Sequence, residues 1–214
     1  MRITVFGATG GTGKQLVRQA LDAGHSVRAV VRDPARMPID HPELSVIEAE
    51  LADTEAVRSA IDGQDAVLSA LAASAKQGGI ATVAVRAMLR AMEAADVRRL
   101  LVVSAAPVGP LPEGESLVGR LALPLVRAVF RDVYADLRVM EEAVVGSDAE
   151  WTIVRPPRLL DKPLSGSYRR AMGGAVAGTH AISRADLAYA MLDMINDPES
   201  VRQVVGVAAA GEVS

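Results

Sequence analysis

The chain has 214 residues, of which 50% are hydrophobic, and a formal net charge of −3 at pH 7. This length suits one α/β domain spanning residues 1–214, and such a chain can bury its own core. The absence of cysteine excludes disulfide frameworks and thiolate chemistry, and the acidic balance offers no basic surface for nucleic acid. The aromatic content is low, so the apolar residues are mainly those of buried strands and close-packed helices.

Signals for secretion, membrane insertion and metal binding are missing from the sequence. Met1 leads directly into a strand pattern, and no apolar run reaches the roughly 20 residues that span a bilayer. His25, His41 and His180 lack the spacing of metal ligands, so we interpret them as loop residues. We therefore expect a cytoplasmic monomer or homodimer that acts on a small molecule, without a metal, membrane or nucleic-acid partner.

Short apolar runs alternate with helical patterns along the chain. The predicted strands are residues 3–6, 27–31, 44–47, 66–68, 100–103, 151–154 and 204–207. Helical spacing predicts a first helix that ends at Gly24, a second that Asp53 caps, and a late helix that stops before Pro198. Strands that alternate with helices predict a doubly wound α/β fold with a parallel sheet.

Two irregular stretches, 107–119 and 156–178, follow predicted strands. Both leave the carboxyl edge of the sheet, where open α/β folds bind ligands, so we predict substrate loops at residues 105–130 and 156–180. Residues 117–130 form the most apolar stretch outside the strands. This stretch fits an apolar wall over a flat substrate or an ordinary packed helix, and we favour the packed helix.

A glycine-rich turn, GATGGTG, occupies positions 7–13 between the first strand and the first helix. Gly7 permits a tight turn, Gly10 lets the backbone approach a pyrophosphate, and Gly13 allows close packing of the helix on the strand. The free N–H groups at the helix start favour a negative charge. In this strand–turn–helix context, the turn predicts a dinucleotide site.

The end of the second strand distinguishes the two nicotinamide cofactors. An acidic residue there would accept the ribose hydroxyls of NAD, but this chain has Arg32, with Arg36 one turn later. A guanidinium suits a 2′-phosphate, so the sequence predicts NADP(H). Two alternatives stay open: Arg32 as a solvated strand end, and Asp33 as an acceptor of a ribose hydroxyl.

With these motifs, the chain resembles the atypical short-chain dehydrogenase/reductases. Within them it is similar to the NAD(P)H-binding group that includes flavin reductase (biliverdin-IXβ reductase) and the NmrA-like proteins. The resemblance covers nearly the whole chain and rests on VFGATGGTG (5–13), VRDP (31–34), QDAV (64–67), VVSA (102–105), RPP (155–157) and ISRADLA (182–188). It implies a single Rossmann domain with strand order 3-2-1-4-5-6-7 and the cofactor along the carboxyl edge.

The resemblance also implies which residues contact the cofactor. It places the phosphates at Thr9, Gly10, Thr12 and Gly13, in the loop that also holds Gly7 and Gly11, and the 2′-phosphate at Arg32 and Arg36. The adenine is expected near Glu50 and Leu51 and the ribose at Leu71 and Ala72. The nicotinamide is expected at Ser104 and Pro157. The group usually has Gly-Asp-Leu where this chain has Ala-Glu-Leu at 49–51, so Glu50 fits this role less closely.

The pattern departs from the classical family at the catalytic pair. Classical members carry Tyr-x-x-x-Lys, whereas this chain has Tyr134 followed by Arg138, which cannot relay a proton. Tyr134 is therefore either catalytic or a surface or packing residue of its helix. Ser104 is the best-placed polar side chain for orienting the nicotinamide or the substrate, with a helix cap or loop hydroxyl as the alternative.

Flavin and quinone acceptors need little acid catalysis, whereas reduction of a simple carbonyl needs a proton donor. We therefore predict an NADPH-dependent oxidoreductase that transfers a hydride to a flavin-, quinone- or related small-molecule acceptor. The alternative is a non-catalytic NADP(H)-binding sensor of the NmrA-like type. A sugar-nucleotide epimerase is disfavoured, because the region after the last motifs is short for a substrate domain.

Overall fold

The computed structural model describes residues 1–71, 79–111 and 117–211. The strands in these ranges are β1 (Arg2–Phe6), β2 (Ser26–Val31), β3 (Leu44–Glu48), β4 (Ala66–Ser69), β5 (Arg99–Val103), β6 (Glu150–Arg155), β7 (Arg158–Leu160), β8 (Tyr168–Met172), β9 (Ala181–Ser183) and β10 (Gln203–Ala209). The helices are α1 (Gly11–Asp22), α2 (Thr54–Ile61), α3 (Ile80–Ala94), α4 (Leu117–Val129), α5 (Arg131–Val145) and α6 (Arg184–Asp193).

Eight strands form one sheet in the order β3-β2-β1-β4-β5-β6-β10-β8. All neighbouring pairs are parallel except β10 and β8, which are antiparallel. In register, Val5 of β1 lies opposite Ala29 of β2 and Leu68 of β4. The seven predicted strands, with β10 as the seventh, therefore have the order 3-2-1-4-5-6-7, and the predicted Rossmann-type fold is confirmed.

The prediction of an irregular stretch over 156–178 was wrong in part. This stretch contains β7, which pairs with β9 in a small parallel sheet, and β8, which forms the edge of the main sheet. The signal was weak because β8 has the sequence YRRAM, without an apolar run. Its Arg170 forms ion pairs with Asp197 and Glu199, so the strand is stabilised by contacts with a distant segment.

The sheet carries helices on both faces, and its strands are buried accordingly. Ile3 and Val5 of β1 belong to the core cluster formed with α1 and α6. Phe6, on the opposite face, belongs to the cluster formed with α2, α3 and α5. This alternation follows from the two-residue period of a strand. Because neighbouring strands from β3 to β10 are parallel, their carboxyl ends lie at one edge of the sheet.

Predicted helix ends agree with the structure where backbone chemistry determines them. The Asp53 side chain accepts a hydrogen bond from Ala56 N and caps α2, as predicted. Gly24, just beyond α1, has φ +77°, a left-handed conformation that favours glycine. The start of α3 has a cap from another helix: Asp136 of α5 accepts hydrogen bonds from Ala81 N at 3.0 Å and Thr82 N at 3.1 Å.

A buried arginine stabilises the edge of the sheet formed by the amino ends of the strands, opposite their carboxyl ends. Arg99 of β5 is 7% exposed and donates to the carbonyls of Met194, Ile195 and Glu150 and to the hydroxyls of Thr152 and Ser200. Burial lowers its pKa to about 10. These bonds join β5 and β6 to the segment that follows α6. No helix within the described ranges is both long and apolar enough to cross a membrane.

Candidate functional site

Two depressions lie at the carboxyl edge, at the ends of different strands. The glycine-loop cleft, at the ends of β1 to β4, has a volume of about 530 Å³ and a lining that includes Gly7, Thr9, Arg32, Glu50, Leu51 and Leu71. The apolar cavity, at the ends of β5, β6 and β10, has a volume of about 580 Å³ and a lining that includes Pro107, Leu123, Val126, Phe130, Tyr134 and Pro157. Both volumes are typical of small-molecule sites, which span about 300–1,000 Å³.

The turn between β1 and α1 is built around two glycines that tolerate no side chain. Gly7 has φ +72°, and a Cβ placed on it would lie 2.8 Å from the backbone carbon of Ala70 on the neighbouring strand. A Cβ placed on Gly13 would overlap the carbonyl oxygen of Gly7. The helix therefore starts in close contact with the strand, as the spacing of the glycines predicts.

The start of α1 is open to an anionic ligand. Its N-cap residue is Gly10, no side chain caps the helix, and no acidic residue lies in the first turn. The backbone N–H groups of the first turn and the positive end of the helix dipole then favour a negatively charged group. A dinucleotide pyrophosphate fits this arrangement, because the glycines leave room for it beside the backbone.

The cleft brings together most of the residues predicted to contact the adenosine end of a cofactor. Glu50 and Leu51 follow β3 and line the cleft beside Leu71, which follows β4. Val83 of α3 adds an apolar surface, with 56% of its area exposed. Ala72 lies outside the described residues.

Of the charged side chains at the end of β2, Arg32 alone lines the described part of the cleft. Asp33 accepts a hydrogen bond from Ala35 N at 3.1 Å and caps a short 3-10 turn, Pro34–Arg36. Arg36 ends this turn, exposed and outside the cleft lining. The Asp33 carboxylate is thus engaged with the backbone, which weakens its candidacy as the acceptor of a ribose hydroxyl.

The described side chains of the stretch 117–130, which begin at residue 123, form one wall of the apolar cavity. Leu123 and Val126 of α4 and the following Phe130 line the cavity, whereas Leu125 and Val129 are 69% and 68% exposed. The favoured prediction, an ordinary packed helix, was therefore wrong for the described part of the segment, which is helical but borders a cavity on one side and solvent on the other.

Ser104, directly after β5, belongs to a buried side-chain network that the sequence did not predict. Its Oγ donates to Glu141 Oε1 at 2.6 Å, and Arg155 donates to both carboxylate oxygens, from Nε at 2.9 Å and Nη2 at 2.5 Å. Ser104 and Glu141 are 6% and 7% exposed, and Arg155 lines the apolar cavity. Because the serine hydroxyl donates its hydrogen bond to Glu141, a direct role of Ser104 toward nicotinamide or acceptor would use only its oxygen lone pairs, and that role stays a prediction.

Tyr134 lines the apolar cavity, two helical turns before Glu141 on the same helix. Burial raises the pKa of its phenol, and the opposing effect of the nearby charge on Arg127 is smaller. Arg138 is exposed and is absent from the causes of this shift. The tyrosine therefore lies where a substrate could meet it, but without the lowered pKa that a neighbouring lysine gives the classical family.

Among the described residues, no group of three or more His, Asp and Glu side chains is arranged to hold a metal ion. The open helix start and the two depressions at this edge are suited to a bound organic cofactor.

Comparison with known proteins agrees with this geometry. The model of the NAD(P)H-binding family matches residues 7–198, which include the glycine turn and most of the residues that line the two depressions. The chain is 27% identical over 219 residues to YwnB, an uncharacterized protein of Bacillus subtilis, with 99% of this chain and 100% of that protein covered.

Two further relatives carry functional names. The chain is 27% identical over 157 residues to a 3 beta-hydroxysteroid dehydrogenase/Delta 5-->4-isomerase of Mycobacterium tuberculosis, with 67% of this chain but only 42% of that enzyme covered. A wide-type short-chain dehydrogenase/reductase of Veillonella parvula, solved in complex with NADP, has a TM-score of 0.80 at 22% identity, with 98% of this chain and 95% of that chain covered. The chain belongs to the NAD(P)H-binding family, an atypical group of short-chain dehydrogenase/reductases, and its cofactor is a nicotinamide dinucleotide.

Proposed function

We propose that the protein is an NADPH-dependent reductase that transfers a hydride to a flat acceptor of the flavin or quinone class. The observation that carries this proposal is the apolar cavity at the ends of β5, β6 and β10, beside the glycine-loop cleft on the same sheet edge. A nicotinamide cofactor has an adenosine end and a reactive end. The cleft offers a site for the adenosine end, and the cavity offers a site for the acceptor that the reactive end must reach.

The choice of NADP(H) rests on the charged groups at the end of β2. The Arg32 guanidinium lines the cleft, and the carboxylate of Asp33, which would favour a free ribose hydroxyl, caps a backbone turn instead. A 2′-phosphate forms charge-assisted hydrogen bonds with a guanidinium that a hydroxyl cannot match. Arg36 contributes to the same positive field, although it lies outside the cleft lining.

The acceptor class rests on what the cavity residues can do. When bound, NADPH supplies a hydride, and the acceptor takes it with one proton from solvent, which yields NADP⁺ and the two-electron-reduced acceptor. The apolar walls exclude water and pack on a flat ring. Tyr134 has a raised pKa and no lysine four residues later, so the protein is better suited to reactive acceptors than to simple carbonyls.

The test is a screen of NADPH oxidation by the purified protein. FMN, FAD and a soluble quinone form one set of acceptors; simple aldehydes and ketones form the second. A 3β-hydroxysteroid with NADP⁺ is the third arm, because a relative has that activity in its name. We expect turnover with the first set. Turnover confined to carbonyls or to the steroid would contradict the proposed acceptor class.

A second candidate, an NADP(H)-binding sensor that regulates a partner, draws support from the outer side of α4. Leu125 and Val129 expose most of their apolar surface there, as a protein partner would require. The same screen separates the two functions. Tight NADPH binding without turnover of any acceptor would favour the sensor.

A further inference from the structure

The side chain of Arg184, from a distant part of the chain, lies beside Gly11 at the start of α1. Arg184 is the first residue of α6, whereas Gly11 is the first residue of α1, and the two helices pack on the same face of the sheet. A Cβ placed on Gly11 would lie 2.5 Å from Arg184 Cδ and 2.9 Å from its Nε. The arginine therefore occupies the space that a side chain at position 11 would need.

The guanidinium of Arg184 is held by a weak partner. Its Nη1 lies 2.8 Å from Asp161 Oδ1, in an ion pair whose side chains are 31% and 87% exposed. An exposed pair of this kind contributes little to stability, because water solvates both charges in its absence. A stronger anion can therefore replace Asp161 at a small cost in free energy.

A buried aspartate positions both members of the pair. Asp186 accepts hydrogen bonds from Ser165 N at 2.8 Å and Gly166 N at 3.1 Å, which fixes the loop that follows Asp161. It also accepts from the hydroxyl of Ser183, the residue that caps α6 just before Arg184. The hydrogen bonds of Asp186 therefore help to hold Arg184 beside the glycine turn.

We propose that Arg184 binds the pyrophosphate of the dinucleotide, and that the pyrophosphate replaces Asp161 as its partner. The open start of α1 favours a phosphate beside Gly11, and the Nε of Arg184 is already at that position. A guanidinium fork matches two phosphate oxygens in the way it matches a carboxylate. The proposal rests on dinucleotide binding alone, and depends neither on the choice of NADP(H) over NAD(H) nor on the acceptor.

The test is calorimetric titration of the purified protein with NADPH, NADH, ADP-ribose and adenosine 2′-monophosphate. Arg184→Gln keeps the first two methylene groups of the side chain and removes the charge. We expect it to weaken the three pyrophosphate ligands about tenfold each, the loss typical of one charge-assisted contact, and to leave adenosine 2′-monophosphate unchanged. Arg18→Gln, the same change at an exposed arginine two turns further along α1, is the matched control and should bind all four ligands as the wild type does.

Asp161→Asn tests the exchange of partners. It should tighten the binding of NADPH and NADH, and in the Arg184→Gln background it should have a much smaller effect, because no guanidinium is left to release. Unchanged NADPH affinity in Arg184→Gln would overturn the proposal. So would an equal loss for adenosine 2′-monophosphate, which would indicate a general structural effect. Weaker binding in Asp161→Asn would overturn the exchange, and a thermal melt of each variant shows that it is folded.

Discussion

The two halves of the site, the glycine-loop cleft and the apolar cavity, differ in whether backbone or side chains form them. The glycine-loop cleft is formed largely by backbone: two glycines without room for a Cβ, an uncapped helix start and the ends of four strands. The apolar cavity is formed by side chains from α4, α5 and the strand ends, above a buried network of Ser104, Glu141 and Arg155. A backbone site recognises what all dinucleotides share, whereas a side-chain site can be specific for one acceptor. The difference locates cofactor binding in one half and substrate choice in the other.

Removal of the Glu141 side chain should give the largest loss of stability in the apolar cavity, the half of the site formed by side chains. Glu141→Ala leaves the guanidinium of Arg155 buried without a counterion, and should lower the free energy of unfolding by about 3–5 kcal/mol. Urea denaturation measures this loss. Glu142→Ala, at the exposed neighbouring position, is the control and should change stability by less than about 0.5 kcal/mol. Equal stability of the two variants would show that the network is not a support of the cavity.

A substitution at Gly13 should disrupt the glycine-loop cleft, the half of the site formed largely by backbone. In Gly13→Ala the new methyl group overlaps the Gly7 carbonyl, so α1 must move away from β1, at a cost of about 3 kcal/mol and with loss of dinucleotide binding. Gly174→Ala is the control, because a Cβ there meets no heavy atom within 4 Å. Denaturation and cofactor titration of both variants give the comparison. An alanine at position 13 that binds NADPH normally would refute the close packing.

Arg32 differs from the rest of the glycine-loop cleft, because it is a side chain that can distinguish NADP(H) from NAD(H) in a site formed largely by backbone. Arg32→Ala should weaken NADPH binding by about ten- to a hundredfold and leave NADH binding nearly unchanged. Arg36→Ala should have the smaller effect, because Arg36 lies outside the cleft lining. Titration of both variants with both cofactors decides the matter. If wild type binds NADH as tightly as NADPH, Arg32 is only a solvated strand end.

The smallest effect is expected at Tyr134. Its raised pKa keeps the phenol protonated from about pH 6 to 9, so its ionisation should leave no inflection in the rate of quinone reduction over that range. Tyr134→Phe should retain most of the turnover, while Ser104→Ala should lower it about tenfold, or about 1.4 kcal/mol in the barrier, because it removes one hydrogen bond to Glu141 from the buried network. Steady-state rates across pH measure both. Abolished turnover in Tyr134→Phe would restore the classical acid mechanism.

The sequence predicts the two halves unequally well, for a physical reason. The glycine turn, Arg32 and the cap at Asp53 are local features, whose backbone and charge requirements can be recognised in a few consecutive residues. The partnership of Ser104 with Glu141 joins residues far apart in the chain, and no spacing rule signals it. The edge strand β8 was missed because its partner β10 lies well downstream and its own residues are mostly polar.

The central claim is that the apolar cavity takes the acceptor while the cleft holds the cofactor. Val126→Glu places a charge on the cavity wall, and Leu125→Glu places the same charge on the exposed side of the same helix. The measurement is kcat/KM for NADPH oxidation with a flavin or quinone acceptor, together with the Kd of NADPH, for both variants. We expect Val126→Glu to lose at least about tenfold in kcat/KM with an unchanged NADPH Kd, and Leu125→Glu to match the wild type. Equal kcat/KM in the two variants would contradict the claim.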